Sequence, residues 1–505
     1  MSKTQTIETF ADLATPESRI EELIRRNWWS SVPLTSFPAS WLLNGEQRLD
    51  GRFYANDVFA AQIVLRKSGY ERKPLFQLEN DIYYPNRFKR VYATAKDAGT
   101  PFLTPSATFH FRPTSDKLLA KTCPQYEECF VNEGVLLITR SGTIGRITIV
   151  TEYLSKFAIS DDLIRIEPNA IPAGYLYAYL SSWIGQALIS KDRYGGAIKH
   201  LEPHHIGGIS IPLLDDASQD DIHNSIMKAF QLRDEANERL DEAHKLLHES
   251  LGLPEFDEDL ATYFEISRST DDYIPPPQSY LINASSLTGR LDGSYHHPVI
   301  STAIELLKSA NADIETVGNL SDNIFIPNRF RRVYVDEAYG RPFLLPSEIV
   351  HNKMYSPKYL SEKMNEDDIK QCVLRTGQTI ITRSGSVGRV AYIPRQMDRW
   401  VGSDDFIRVE TNAEKLNPGY LVAFLMTPYG KYQLLREVYG SVVDHIEEHH
   451  VASVLIPCPS SMDTQEEIGQ KVIDAYEKKE LANEIEAKAI RRLEMILEGK
   501  ESEAR

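Results

Sequence analysis

The chain has 505 residues, 42% hydrophobic and 25% charged, which is enough for several buried cores and two or more domains and excludes a disordered tail. Its four scattered cysteines, Cys123, Cys129, Cys372 and Cys458, form no CxxC pair, and no stretch approaches the roughly 18 apolar residues of a membrane span, so a cytoplasmic chain with free thiols and no membrane is expected. The net charge of -16 argues at face value against nucleic acid, yet segments 215–275 and 463–505, at net -12 and -4, hold all of it, so the remaining segments sum to neutral and can carry basic faces.

At the amino terminus Thr15-Pro16-Glu17 supplies an N-cap and a proline at the first helical position, and a helical segment is predicted within residues 1–40. From there the chain is written twice. "RLDG" stands at Arg48 and Arg290, "PNRFKRVY" at Pro85 returns as "PNRFRRVY" at Pro327, and "LITRSGTIGR" at Leu137 returns as "IITRSGSVGR" at Ile380. "SDDLIRIE" at Ser160, "AGYLYAYL" at Ala173 and "YGGAIKHLEPHH" at Tyr194 return as "SDDFIRVE" at Ser403, "PGYLVAFL" at Pro418 and "YGSVVDHIEEHH" at Tyr439. The offset drifts only from 242 to 245 residues between the octapeptide and the histidine motif, so whole units are duplicated with few insertions.

Within each unit "TRSGTIGR" reads as a glycine turn joining two apolar, β-branched strands, and the "GYL" run reads as a helix opened by glycine. Each unit closes on a heptad stripe: Ile222, Ala229, Ala236 and Ala243 with Ile226, Arg233, Leu240 and Leu247 in the first, and Ile468, Ala475, Ala482 and Ala489 with Val472, Lys479, Glu486 and Leu493 in the second. Alanine at successive layers lets two helix backbones approach closely, so the two runs are expected to pack antiparallel on each other; the alternative is that each covers its own unit. The acidic, triple-proline stretch between them reads as a linker at 253–280.

The octapeptides place Arg87, Lys89 and Arg90, and again Arg329, Arg331 and Arg332, beside Phe and Tyr, a mixture suited to phosphate contact and groove packing, although core aromatics under a solvated cationic face would look the same. The glycine turns lack GxxxxGK[ST] and do not open a helix, so nucleotide hydrolysis is unsupported. Their flanking residues, Arg140, Ser141 and Arg146 with Arg383, Ser384 and Arg389, are not required by the bend and are candidates for phosphate contact, as is Lys199. His200, His204 and His205, like His445, His449 and His450, lack the companions of a metal site and read as caps and surface packing; Asp161-Asp162 and Asp404-Asp405 read as structural. No methyltransferase, helicase or other catalytic motif is present, and no cofactor or metal is expected.

The two-unit layout, with "ITRSGTIGR...SDDLIRI...GYLYAYL", "ISIPLLDDASQDDI" at Ile209 and "VLIPCPSSMDTQEEI" at Val454, resembles the specificity (S) subunits of type I restriction-modification systems, from about Arg48 to Gly499. The resemblance implies an α+β, mixed fold: two similar mixed α/β target recognition domains separated by two long antiparallel coiled-coil-like helices in a pseudo-twofold internal repeat. The expected boundaries are a helical extension at 1–40, recognition domains at 41–214 and 281–462, the linker at 253–280, and spacer helices at 215–252 and 463–500. It implies a non-catalytic chain that reads a bipartite site on double-stranded DNA, docks methyltransferase (M) subunits and, through them, restriction/translocase (R) subunits, in defence against foreign DNA. Base readout is expected in the segments that differ most between the units, 108–132 against 349–375 and 182–193 against 427–438. Two departures stand out: the extension has no counterpart in the family pattern, and the two units are unusually alike, so related half-sites are expected. A protein-interaction scaffold that never touches DNA is the alternative.

Overall fold

The computed structural model describes residues 56–78, 81–93, 96–115, 117–191, 200–254, 256, 281–287, 289–355, 357–440, 443–459 and 461–500. The helix expected within 1–40, the "RLDG" at Arg48, Lys199 and nearly all of the linker lie outside the described residues.

The glycine turns join strands as expected. Leu136–Thr139 and Ile147–Ile149 pair antiparallel, as do Thr379–Thr382 and Val390–Tyr392. Gly142 and Gly145 take φ of 66° and 87°, and Gly385 and Gly388 take 71° and 82°, a left-handed backbone that side chains with a Cβ disfavour. Each hairpin sits in a four-stranded antiparallel sheet, ordered Ile82–Tyr83, Leu163–Ile166, Leu136–Thr139, Ile147–Ile149 in the first unit and Ser321–Phe325, Phe406–Thr411, Thr379–Thr382, Val390–Tyr392 in the second. A second sheet follows in each: Tyr92–Ala93, Leu118–Ala120, Gly99–Leu103, Ala158–Ile159, and then Tyr334–Val335, Lys358–Ser361, Gly340–Leu344, Val401–Gly402, the last pair of each being parallel. The strand order is the same in both units.

The "GYL" runs form the buried helices Ala173–Ser181 and Pro418–Leu425. Their tyrosines lock onto the Ile-Pro turns: Tyr175 Oη donates to the Pro212 carbonyl and Tyr420 Oη to that of Pro457, each at 2.6 Å. The glycines permit backbone contact with the long helices, since a Cβ on Gly419 would lie 2.2 Å from the Gly469 carbonyl oxygen and one on Gly174 2.6 Å from that of His223. Gly419→Ala is therefore expected to cost about 2 to 3 kcal/mol of stability, measurable by chemical denaturation, because neither backbone can yield cheaply.

Two long helices carry the units. The first, Asp216–Leu251, is capped by Asp215, which accepts from Ser218 N at 3.0 Å, and ends at Gly252 in the left-handed region. The second, Met462–Glu498, is capped by Ser461 and ends likewise at Gly499. At 36 and 37 residues each is about 55 Å long. Every residue of the two heptad stripes is buried, charged members included. The helices meet through Asp221 with Arg492, Arg233 with Glu486, Glu235 with Lys478 and Glu242 with Lys471; one number rises as the other falls, so they run in opposite directions. At mid-length Glu486 accepts from Arg233 at 2.5 Å and Tyr177 Oη at 2.8 Å, and also pairs with Lys353 from the second unit.

The units touch each other above this midpoint. Phe111 N donates to the Val350 carbonyl at 2.7 Å and Asn352 N to that of Phe109 at 3.1 Å, bringing the rings of His110 and His351 to 5.4 Å. Below, Asn237 Nδ2 donates to the Phe111 carbonyl and Asn483 Nδ2 to that of Asn352, which seats the seam on both helices. Among the described residues no helix is long and apolar enough to cross a membrane.

Candidate nucleic-acid interface

In each unit motifs far apart in sequence converge on one carboxylate. Asp162 receives Arg87 at 3.7 Å, Arg140 at 3.4 Å and the Ser141 hydroxyl; Asp405 receives Arg329 at 3.9 Å and the Ser384 hydroxyl at 3.1 Å. The octapeptide, the hairpin and the "SDD" turn thus build the same frame twice. The histidine motif completes it. Arg140 donates to Glu202 at 2.6 Å and stacks 3.9 Å over Tyr84, and Arg383 donates to Glu447 at 2.7 Å. Ser384 meets His445 Nδ1 at 2.9 Å.

This arrangement separates the candidate cations into groups that composition could not distinguish. Arg140 is only 6% exposed, and although burial works against its charge, the Glu202 bond holds its pKa above the ordinary value. Arg383 is held up in the same way by Glu447, against the same burial. The expectation that these two hairpin arginines reach phosphates is therefore revised: both are pinned inside the frame, because a desolvated guanidinium retains its charge by pairing. Arg90 and Arg332 likewise pair with the buried Asp161 and Asp404, and Ser141 and Ser384 are taken up by the frame carboxylates. Arg146 and Arg389 turn away from the frame toward the seam between the units, where Arg146 donates to His351 Nε2 at 3.3 Å and stacks 4.4 Å over Tyr355. Arg87 and Arg329 remain 70% and 69% exposed, and Lys89 and Arg331 are exposed beside them.

The octapeptide aromatics also divide. Phe88 and Phe330 pack against the buried clusters of Phe102 and Phe343, whereas Tyr92 and Tyr334 are exposed, with the ammonium groups of Lys117 and Lys358 at 5.4 and 5.0 Å from their rings. Beside the second octapeptide a cleft of about 450 Å³ is lined by Asn328, Arg329, Arg383, Tyr439, His445 and Glu447. The face each unit offers is thus cationic and aromatic on a framed base, the chemistry of a surface that meets phosphates and groove walls.

His205 and His450 close capping boxes with Glu202 and Glu447, in keeping with a capping role, and among the described residues no His, Cys, Asp and Glu group is arranged to hold a metal. The sequence reading passed over Glu202, Glu447 and Tyr84, although both glutamates recur at matched positions of the repeat. It also passed over Arg165 and Arg408 on the central strands. Arg165 is buried and donates to the Glu128 carbonyl at 2.8 Å; Arg408 is fully buried and donates to the carbonyls of Gln371 and Cys372, each at 3.0 Å. Burial pushes the pKa of both below the ordinary arginine value, and both fasten a segment that differs between the units to a sheet that does not.

Part of the second unit and most of the long helix after it match a known family. Residues 336–490 match the Type I restriction modification DNA specificity domain. Among solved structures the chain is similar to the Type-I restriction-modification system S subunit from M. genitalium, at 12% identity over 85% of this chain and 95% of that one, with a TM-score of 0.33. It is also similar to the HsdS subunit from Thermoanaerobacter tengcongensis, at 13% identity over 86% of this chain and 97% of that one, with a TM-score of 0.26. No curated protein matches the chain. The match over residues 336–490 bears out the resemblance of this chain to the specificity subunits of type I restriction-modification systems.

Proposed function

We propose that this chain is the DNA-reading subunit of a type I restriction-modification complex, with recognition domains at 41–214 and 281–462 that each read one half of a bipartite site. The observation that carries this is the twice-built frame: one exposed pair of cations, Arg87 with Lys89 and Arg329 with Arg331, stands over the same buried scaffold in both units. These four residues position the duplex by its phosphates, and the segments 108–132 and 349–375 contact base edges, because only base edges carry sequence information. The chain itself performs no chemistry; methyltransferase subunits dock on it and bring the restriction subunits, and the acidic outer faces of the long helices keep those helices off the phosphates.

The helix pair acts as a pseudo-twofold ruler. Matched positions pair across the seam, Phe111 with Val350 and Asn352 with Phe109, and the matched Asn237 and Asn483 make matching bonds beneath it, which supports inverted presentation of the two units to DNA. Four residues inserted in phase in both helices move the units apart by about 6 Å, close to two base pairs. Methylation mapping in cells is expected to return the same two half-sites with a spacer longer by about two base pairs. An unchanged spacer sinks the ruler, and the absence of any bipartite motif dependent on this chain favours the scaffold reading instead.

A further inference from the structure

The seam between the units is charged in a way the half-site reading does not use. Arg146 and Arg389 occupy matched positions on the two hairpins, both are half-buried, and among the described residues neither pairs with a carboxylate. Both act on the same two imidazoles: burial, reinforced by the two guanidiniums, pushes His110 and His351 down to about 4, so both rings are neutral at neutral pH and the positive charge rests on the arginines. A guanidinium only donates, so His351 Nε2 accepts from Arg146 and its Nδ1 carries the proton. That proton faces the Phe109 carbonyl, whereas Arg146 Nε is buried without a partner. One acidic group, Glu348, lies within the reach of Arg146; its Oε2 is also unpartnered, and burial raises its pKa. Two half-buried guanidiniums, one with its Nε unpartnered, against one weakly acidic carboxyl leave a net positive site with donors to spare, and partly desolvated charge of that kind favours an anion.

We infer that the seam of Arg146, Arg389, His110 and His351 is a phosphate-binding site, and that its ligand is a backbone phosphate of the unread DNA between the two half-sites. This rests on the DNA-reading function proposed above and adds a third point of contact to it. The seam joins the two matched units and sits on both long helices, and on the proposed reading the spacer of a duplex held by both units lies between them. A phosphate there carries no sequence information and fixes the centre of the site.

The test uses the intact chain with its methyltransferase subunits and a duplex bearing the mapped motif, with single spacer phosphates replaced by neutral methylphosphonates. Wild-type affinity is expected to fall about tenfold at one or two phosphates near the spacer centre. Arg146→Gln/Arg389→Gln is expected to lose that sensitivity while retaining the motif, and to lower the slope of log affinity against log salt by about one unit for each sensitive phosphate. The first arm needs no variant, so misfolding of the double variant cannot hide the answer. Motif-specific binding with no sensitive spacer phosphate overturns this inference and leaves the proposed function standing; no duplex binding at all overturns both. Thermal stabilisation of the wild type by inorganic phosphate, together with insensitivity to every spacer methylphosphonate, assigns the seam to free phosphate and also overturns the inference.

Discussion

Glu486→Gln is expected to cost about 3 to 5 kcal/mol of folding stability, the range found when a buried ion pair loses one partner. Glu486 is 2% exposed at mid-length of the helix pair and answers Arg233 from the facing helix and Lys353 from the second unit. The amide keeps the shape but leaves two cations, one of them fully enclosed, without a negative partner. Chemical denaturation should show a lowered midpoint with an unchanged slope. Replacing all three charges together, Glu486→Leu with Arg233→Met and Lys353→Met, should recover most of the loss, because the large cost lies in the orphaned charge and not in the missing attraction.

The same carboxyl gives a pH signature. Burial works to raise its pKa, but Lys353 and Arg233 overcome burial and hold it at about 2 against an ordinary 4.5. A carboxyl depressed on folding contributes stability that is complete above its unfolded pKa and is lost as pH falls through the folded one. The stability difference between wild type and Glu486→Gln should therefore be constant above about pH 5 and shrink between about 4.5 and 2. A difference that persists undiminished through that window would show that the bonds of Glu486 do not depend on its charge.

Replacing Arg87, Lys89, Arg329 and Arg331 with alanine should flatten the salt dependence of DNA binding by about three to four units of log slope. Between 50 and 200 mM salt the wild type should then lose about 100-fold more affinity than the variant. Stability should hardly change, since all four side chains are exposed and Arg87 and Arg329 meet their aspartates only at 3.7 and 3.9 Å. All sequences should be affected alike, with the methylation motif preserved. An unaltered slope would remove the octapeptides from the interface. Arg140→Met should behave in the opposite way, disturbing the fold by orphaning Glu202 and reporting little about phosphate contact.

The outcomes at the arginines show what one sequence can reveal. The glycine turns were legible because positive φ leaves a residue-level mark, and the heptad stripes because burial repeats with the helix period. Strand pairing within each hairpin followed from the duplicated turn. Arg140 and Arg87, by contrast, read alike along the chain. What separates them is Glu202, 62 residues beyond Arg140 and brought in only when the histidine motif folds back over the hairpin. The seam was invisible for the same reason: His110 meets His351 through main-chain bonds, which any sequence can make. Charge counting along the chain could not say which cations were already answered.

Arg165 and Arg408 grip main-chain carbonyls, at Glu128 in one unit and at Gln371 and Cys372 in the other. An anchor of that kind is indifferent to the identity of what it holds. On the proposed reading, the segments it holds can drift residue by residue without loosening the socket, so new target sequences become reachable by changes that leave the rest of the molecule untouched.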